Sequence, residues 1–317
     1  MISLFIMDPL EQTNTYTDTT YVIMLECERR EHKVYYTTLD GIHVHDGRVH
    51  AHSRQVRFDQ DGPLFYTVVE EVDLKLDDVD IIWQRKDPPF DDVYLNSTQL
   101  LESVSPQVFI MNHPRGLREA NEKLYALNFP DCIPHTMVSS RASDILRFLD
   151  TLSGPGVIKR LDRSGGVGVF LLEKDDRNRN ALIETATDEG RRYAVVQEYL
   201  PAVVDGDKRI IVLDGEPIGA VLRRPRPDDL RGNIHSGATT HEVEITPAER
   251  EICKRMAPRF RADGLWFVGL DVIGERVTEI NVTSPTGFQE ITRLTGVHVE
   301  EPLVRFAEER AKALRQP

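Results

Sequence analysis

Three oxygen-bearing side chains in the last fifth of the chain could hold a metal ion. Glu279 and Asn281 lie two residues apart in the run 278–282, so in a strand they share one face. Asp271 sits in the preceding apolar run, 266–273. A three-residue turn at Gly274-Glu275-Arg276 pairs Asp271 with Glu279 and sets Val268, Leu270 and Val272 against Val282, Ile280 and Thr278. A two-residue turn at Gly274-Glu275 would send Glu279 to the opposite face, so the hydrophobic pattern favours the longer turn. Two carboxylates and an amide oxygen on one face suit a hard cation such as Mg²⁺, which takes oxygen ligands and completes its shell with water and phosphate. The same pattern also suits the solvent-facing side of an antiparallel sheet.

Cations and a glycine turn lie upstream. Lys159 falls in the apolar run 157–161 and Lys123 stands beside Glu122; each reads as an anion ligand or as a surface lysine. The turn 162–168 contains Gly165 and Gly166, whose backbone N–H groups can approach phosphates, although a plain hairpin turn fits as well. It has neither the Gly-Lys-Ser/Thr of a Walker loop nor a Gly-x-Gly-x-x-Gly fingerprint. A basic cluster, Asp205-Gly-Asp207-Lys208-Arg209 with Arg223-Arg224-Pro-Arg226 and Arg231-Gly-Asn233, suits carboxylates or phosphates, or else a solubilising loop. The glycines and prolines of 223–239 suggest a lid. Arg85 and Asp87 follow a strand in 83–91 and would line a polar pocket at its carboxyl end. His43, His45, His50 and His52 surround an Asp46-Gly47 turn, where His43, His45 and His50 could share a face; zinc would want such neighbours, but exposed hairpin histidines are common.

The elements that must position these groups follow from periodicity. Apolar runs at 2–7, 33–37, 79–83 and 107–111 read as strands, and stretches at 18–31, 91–104 and 114–127 as helices. Strands alternating with helices predict a parallel α/β sheet for residues 1–121. A second, α+β unit over 122–200 holds strands at 156–161, 167–172 and 193–199. A third, over 201–317, opens with a hairpin turning at Asp214-Gly215, continues with a helix from Thr246-Pro247, and closes with an amphipathic helix after Val299. The charged stretch 175–192 reads as a solvated helix face and loop. A net charge of −13 argues against a nucleic-acid or anionic-membrane partner. Three unpaired cysteines, no signal peptide and no apolar run long enough to span a bilayer predict a cytoplasmic protein without disulfides.

Several strings together resemble prokaryotic glutathione synthetase, a member of the ATP-grasp superfamily. They are Met7-Asp8-Pro9, Ala51-His52-Ser53-Arg54, 85–91 (Arg-Lys-Asp-Pro-Pro-Phe-Asp), 121–124 (Asn-Glu-Lys-Leu), 205–209, 214–217, 231–233, 267–271 and 278–286 (Thr-Glu-Ile-Asn-Val-Thr-Ser-Pro-Thr). The resemblance implies an ATP-grasp fold, in which two α+β subdomains grip ATP behind a Rossmann-like N-terminal α/β domain. It implies that Lys123, Lys159, Gly165, Gly166 and Asp207 serve ATP, that Gln197, Glu198 and Tyr199 contact adenine, and that Asp271, Glu279 and Asn281 hold Mg²⁺ or Mn²⁺. Arg209, Arg231 and Asn233 would act in catalysis, and Arg85, Asp87, Lys208, Ser284, Pro285 and Thr286 would bind substrate. The implied reaction joins γ-glutamylcysteine to glycine through an acyl phosphate, in a homotetramer. Another acid or amine, or a nucleotide-binding protein without catalysis, are the alternatives. The chain departs from the family at the phosphate turn, with Arg160 for a common proline and Arg163 for a common glycine, and at His235 in the lid.

Overall fold

The computed structural model describes residues 1–59, 64–226 and 237–316. Its first sheet holds β1 (Ile2–Ile6), β2 (Lys33–Thr37), β3 (Ile42–His45), β4 (Arg48–Phe58), β5 (Tyr66–Lys75), β6 (Ile81–Gln84) and β7 (Phe109–Met111). The order is β3-β4-β2-β1-β6-β7, with β5 on the far side of β4. The strands β2, β1, β6 and β7 run parallel. The central β1 and β6 are almost wholly buried and mostly apolar, with Ser3 and Gln84 the polar exceptions, because both faces are covered. Helices α1 (Thr19–Arg29) and α2 (Asp92–Leu101) start where Asp18 and Asp91 accept from the backbone N–H of Tyr21 and Tyr94, at 2.8 and 2.9 Å.

Two expectations fail in this unit. The sheet is mixed rather than parallel, because β3, β4 and β5 are antiparallel, and the long β4–β5 ribbon has no counterpart in the sequence-based reading. The helix expected over 114–127 ends early: α3 spans Pro114–Glu119, and Asn121-Glu122-Lys123 form a turn before a short 3₁₀ segment, Tyr125–Asn128. Asn121 causes the break, accepting from the N–H groups of Lys123 and Leu124 and so drawing the backbone out of the helical ladder.

The second sheet is antiparallel, in the order β10-β9-β11-β8, from β8 (Thr136–Ser139), β9 (Gly156–Arg160), β10 (Val169–Leu172) and β11 (Ala194–Glu198). Helices α4 (Ala142–Thr151) and α5 (Arg179–Thr187) cover one face through Ile145, Leu149 and Ile183 against Ile158, Leu172 and Val196. Alternation leaves Lys159 and Gln197 on the other face.

The third sheet runs β14-β13-β12-β15-β16, from β12 (Asp207–Leu213), β13 (Glu216–Arg224), β14 (Thr239–His241), β15 (Phe267–Ile273) and β16 (Arg276–Asn281). Helix α6 (Pro247–Asp263), started by a full capping box between Thr246 and Glu249, packs Ile252, Met256 and Phe260 on one face. On the other face α7 (Phe288–Thr295) joins Phe288 to Phe267, and α8 (Glu300–Arg315) packs against α1 and β7. The last helix therefore closes the core of the first sheet. Asn112 ties the two sheets: it donates to the carbonyls of Phe267 and Val282 at 2.7 and 2.9 Å and accepts from Phe267 N–H at 2.8 Å.

Asp271 and Glu279 are direct cross-strand partners, but not by the expected route. The turn is two residues long, with Ile273 opposite Arg276, and Val272 opposite Val277 rather than Thr278. An extra residue, Thr278, bulges out of the ladder and restores the Asp271–Glu279 pairing.

Candidate active site

Asp271, Glu279, Asn281, Asp207, Arg209 and Arg223 occupy one end of the sheet face whose other end is apolar. Asp271 is buried and takes two cations. Arg209 binds it through Nε at 2.5 Å and Nη2 at 3.0 Å, and Arg223 Nη2 lies 2.9 Å from Oδ1. Arg223 also reaches Asp207 at 2.5 Å. Burial alone would raise the Asp271 carboxyl, but the two guanidiniums outweigh it and hold it well below the usual carboxylate range. Asp207, with Arg223 as its main counter-charge, is instead pushed up by burial. Asn281 donates its amide to the Asp271 carboxylate and the Gly269 carbonyl, both at 3.3 Å. Gly269 is required here: a Cβ would stand 2.9 Å from Pro285 and 3.1 Å from the Arg209 side chain.

Glu279 faces two ammonium groups, Lys123 at 3.8 Å and Lys159 at 3.7 Å, both on nearly buried side chains. The turn 121–124 and β9 thus bring their lysines to the third sheet. Lys123 also pairs with Glu122 and donates to the Arg163 carbonyl at 2.7 Å, which fastens it to the glycine turn. Burial raises the Glu122 carboxyl and the Glu279 charge adds to the effect. Burial works against the charged form of Lys123, but Glu279 and Glu122 overcome it and raise its pKa.

Gly165 and Gly166 adopt φ of 63° and 80°, which side-chain-bearing residues rarely reach, and their turn borders a cavity of about 510 Å³ lined by Asn121, Glu122, Arg163, Ser164 and Thr283. Arg160 pairs with Asp162, which borders the same cavity, at 2.9 and 2.8 Å. Gln197 is buried and donates to Thr136 Oγ1 at 3.2 Å; Glu198 accepts from His135 N–H at 3.1 Å; Tyr199 N–H bonds the Pro155 carbonyl. These three lie at the end of β11. The segment Ser284-Pro285-Thr286 follows β16, where Arg209 donates to the Thr286 carbonyl at 3.4 Å and buried Arg85 donates to Pro285 at 3.0 Å. Arg85 Nη1 is buried and has no hydrogen-bond partner among the described residues. Asp87 is exposed beside Asp8 at the carboxyl end of the first sheet.

Lys208 is not part of this arrangement. Its neighbours on β12, Asp207 and Arg209, face Asp271, so Lys208 faces α6, where it pairs with Glu249 at 2.7 Å. The substrate role expected for it is withdrawn. Arg231 and Asn233, with most of the expected lid, lie outside the described residues. Glu122 and Arg223 complete the cluster although the sequence reading gave neither a site role. Arg223 belonged to a visible basic cluster. Its place opposite Asp207 depends on a second bulge, at Ile218, since Val212 pairs with Pro217 and Ile211 with Gly219.

Residues 1–118 match the family model described as "Prokaryotic glutathione synthetase, N-terminal domain", and residues 122–296 match "Prokaryotic glutathione synthetase, ATP-grasp domain". The chain belongs to the prokaryotic glutathione synthetase family. Among curated members it is 47% identical over 307 residues to the glutathione synthetase of Gloeobacter violaceus, covering 95% of this chain and 94% of that one. It is 39% identical over 294 residues to that of Salmonella typhimurium, covering 92% and 93%. Solved structures show the family's ATP-grasp fold at low identity. The D-cycloserine synthetase DcsG aligns over 99% of this chain and 100% of its own, with a TM-score of 0.65 and 14% identity. The ATP-grasp ligase PsnB, complexed with minimal precursor, Mg and ADP, aligns over 98% of both chains with a TM-score of 0.62 and 15% identity.

Proposed function

We propose that this chain joins γ-glutamylcysteine to glycine at the expense of ATP, with Asp271, Glu279 and Asn281 as the ligands of a divalent cation. The observation that carries the reading is the placement of Lys123 and Lys159 on Glu279, directly across the strand pair from Asp271. The donor set fits Mg²⁺ or Mn²⁺: two carboxylates and an amide oxygen, too few for a closed cage, leave positions for water and phosphate. A cation bound there would offset charge on the phosphates of ATP.

A carboxylate is a poor electrophile, so the ligation needs a leaving group. The cysteinyl carboxylate attacks the γ-phosphorus of ATP, giving an acyl phosphate and ADP. The glycine amine then attacks the acyl carbon and expels phosphate. No side-chain nucleophile is required. Lys123 and Lys159 neutralise the transferring phosphoryl group, and Gly165 and Gly166 present backbone N–H groups to it. Gln197, Glu198 and Tyr199 receive the adenine. Arg209, Arg231, Asn233 and the segment 284–286 orient the two substrates, Arg85 supports that segment from the first domain, and Asp87 borders the site. Asp207, expected to serve ATP, does so through Arg223, which it holds in place. Three units, 1–121, 122–200 and 201–317, a tetrameric assembly and a cytoplasmic site of action complete the proposal.

Isotope transfer tests the two-step path. With both oxygens of the cysteinyl carboxylate labelled with ¹⁸O, the released phosphate carries one labelled oxygen. Unlabelled phosphate would rule out the acyl phosphate.

A further inference from the structure

Far along the first sheet, away from this cluster, three imidazoles converge on one carboxylate. The two-residue turn Asp46-Gly47, with φ of 48° and 72°, sets His43 directly opposite His50. On the other side of β4, His52 stands opposite Asp73 of β5. Alternation sends Ala51 into the core and puts the three imidazoles and Asp73 on the outer face.

The nitrogens are aimed at the carboxylate. His43 Nε2 lies 3.4 Å from Asp73 Oδ1, His50 Nδ1 lies 3.6 Å from Oδ2, and His52 Nδ1 lies 3.8 Å from Oδ1. One ligand atom each from His43, His50 and Asp73 fall within 4.8 Å of one another. Neighbouring ligand atoms around a tetrahedral zinc ion, with bonds of about 2.0–2.1 Å, stand about 3.4 Å apart. The cluster therefore needs little movement to close on an ion.

Two further observations favour a metal. His43 Nδ1 donates to the Gly41 carbonyl at 3.3 Å, so in the neutral ring the lone pair is on Nε2, toward Asp73. A carbonyl partner on the far nitrogen is the usual support of a ligating histidine. His50 Nδ1 is shielded from solvent and has no hydrogen-bond partner among the described residues. The His43 Nε2 lone pair facing the Asp73 carboxylate repels it unless a cation lies between them. The nearby Lys75 ammonium is directed at Asp77, at 3.9 Å.

We propose that His43, His50 and Asp73, completed by His52, form a surface site for a zinc-type transition-metal ion, pinning β3 and β5 to β4. Imidazole nitrogens select Zn²⁺, Co²⁺ or Ni²⁺ over Mg²⁺, so the site is chemically separate from the all-oxygen cluster at Asp271. His45 stays outside it, its ring edge-on to His50 at a centroid distance of 6.4 Å.

The test uses the full chain, stripped with a chelator and titrated calorimetrically with Zn²⁺ in excess Mg²⁺. One Zn²⁺ per chain is expected, with Co²⁺ giving the intense visible bands of a tetrahedral site. His43→Gln and Asp73→Asn each weaken Zn²⁺ binding by at least about tenfold, while Glu279→Gln leaves it unchanged. The proposal is overturned by no Zn²⁺ binding. It is equally overturned by displacement with Mg²⁺, or by undiminished binding in the two variants.

Discussion

Arg209 grips Asp271 through both carboxylate oxygens, Nε to Oδ1 at 2.5 Å and Nη2 to Oδ2 at 3.0 Å, with both side chains buried. Removing one partner of a buried pair leaves an uncompensated charge, at a cost of about 3–5 kcal/mol. Arg223 remains beside Asp271 and offsets part of that cost, so Arg209→Ala is expected at the low end, about 3 kcal/mol. Arg209→Lys keeps the charge but loses the fork and falls between. Urea unfolding measures both, and an unchanged midpoint in Arg209→Ala would contradict the pairing.

Glu279→Gln keeps size and hydrogen bonding but removes the charge that faces Lys123 and Lys159. Turnover is expected to fall by at least about a hundredfold, with more divalent cation needed for half-maximal rate. Phosphate release as a function of Mg²⁺ concentration gives both quantities. Wild-type activity in this variant would remove Glu279 from the ligand set.

Lys159 and Lys208 offer a matched contrast, since both are nearly buried lysines on strands but they face different partners. Lys159→Met should lower kcat/KM for ATP by about 10–100-fold, the worth of one hydrogen bond to a charged group. Lys208→Met should leave that constant within about twofold but strand the Glu249 carboxylate, destabilising the fold by about 3 kcal/mol. The reverse pattern would mean that the face assignment is wrong.

These contrasts separate what the sequence shows from what it conceals. The pairing of Asp271 with Glu279 was readable because any slip of one residue would scramble an apolar and a polar face. The bulge that produces it was not readable, since Thr278 is an ordinary strand residue and bulges carry no fixed composition. The Ile218 bulge hid Arg223 in the same way: counting from a two-residue turn without it puts Arg223 on the wrong face of Asp207. Lys208 misled because three adjacent charges look like one cluster, whereas a strand sends alternate members to opposite faces. The break at Asn121 depends on side-chain bonds to the next turn's N–H groups, which periodicity does not register.

Helix α8 docks on the first domain through Glu308, which accepts from Arg30 at 2.7 Å and lies 3.0 Å from His32 Nε2. Arg30, and after it His32, hold the Glu308 carboxyl down to about 2, against the effect of burial. A depressed carboxylate pKa stabilises the fold fully above the unfolded value, about 4.3. That stability is lost as pH falls from there through about 2. Glu308→Gln should therefore be less stable than the parent at pH 7, with the gap closing over that window. Burial pushes His32 down and Glu308 offsets part of that push, so His32 is lower still in the variant; both proteins are therefore compared in a His32→Gln background, where the Glu308 carboxyl alone changes. Denaturation midpoints of the two proteins at pH 7 and pH 3 decide the matter; a gap that is equal or wider at pH 3 would contradict it.

The central claim is the identity of the reaction, and a panel of amines tests it most directly. Purified chain is supplied with ATP, Mg²⁺ and γ-glutamylcysteine, and phosphate release is followed as each amino acid is added. Glycine alone should stimulate release strongly, with glutathione accumulating mole for mole with phosphate. Stimulation by another amine but not by glycine, or ATP binding with no turnover for any pair, would contradict the account.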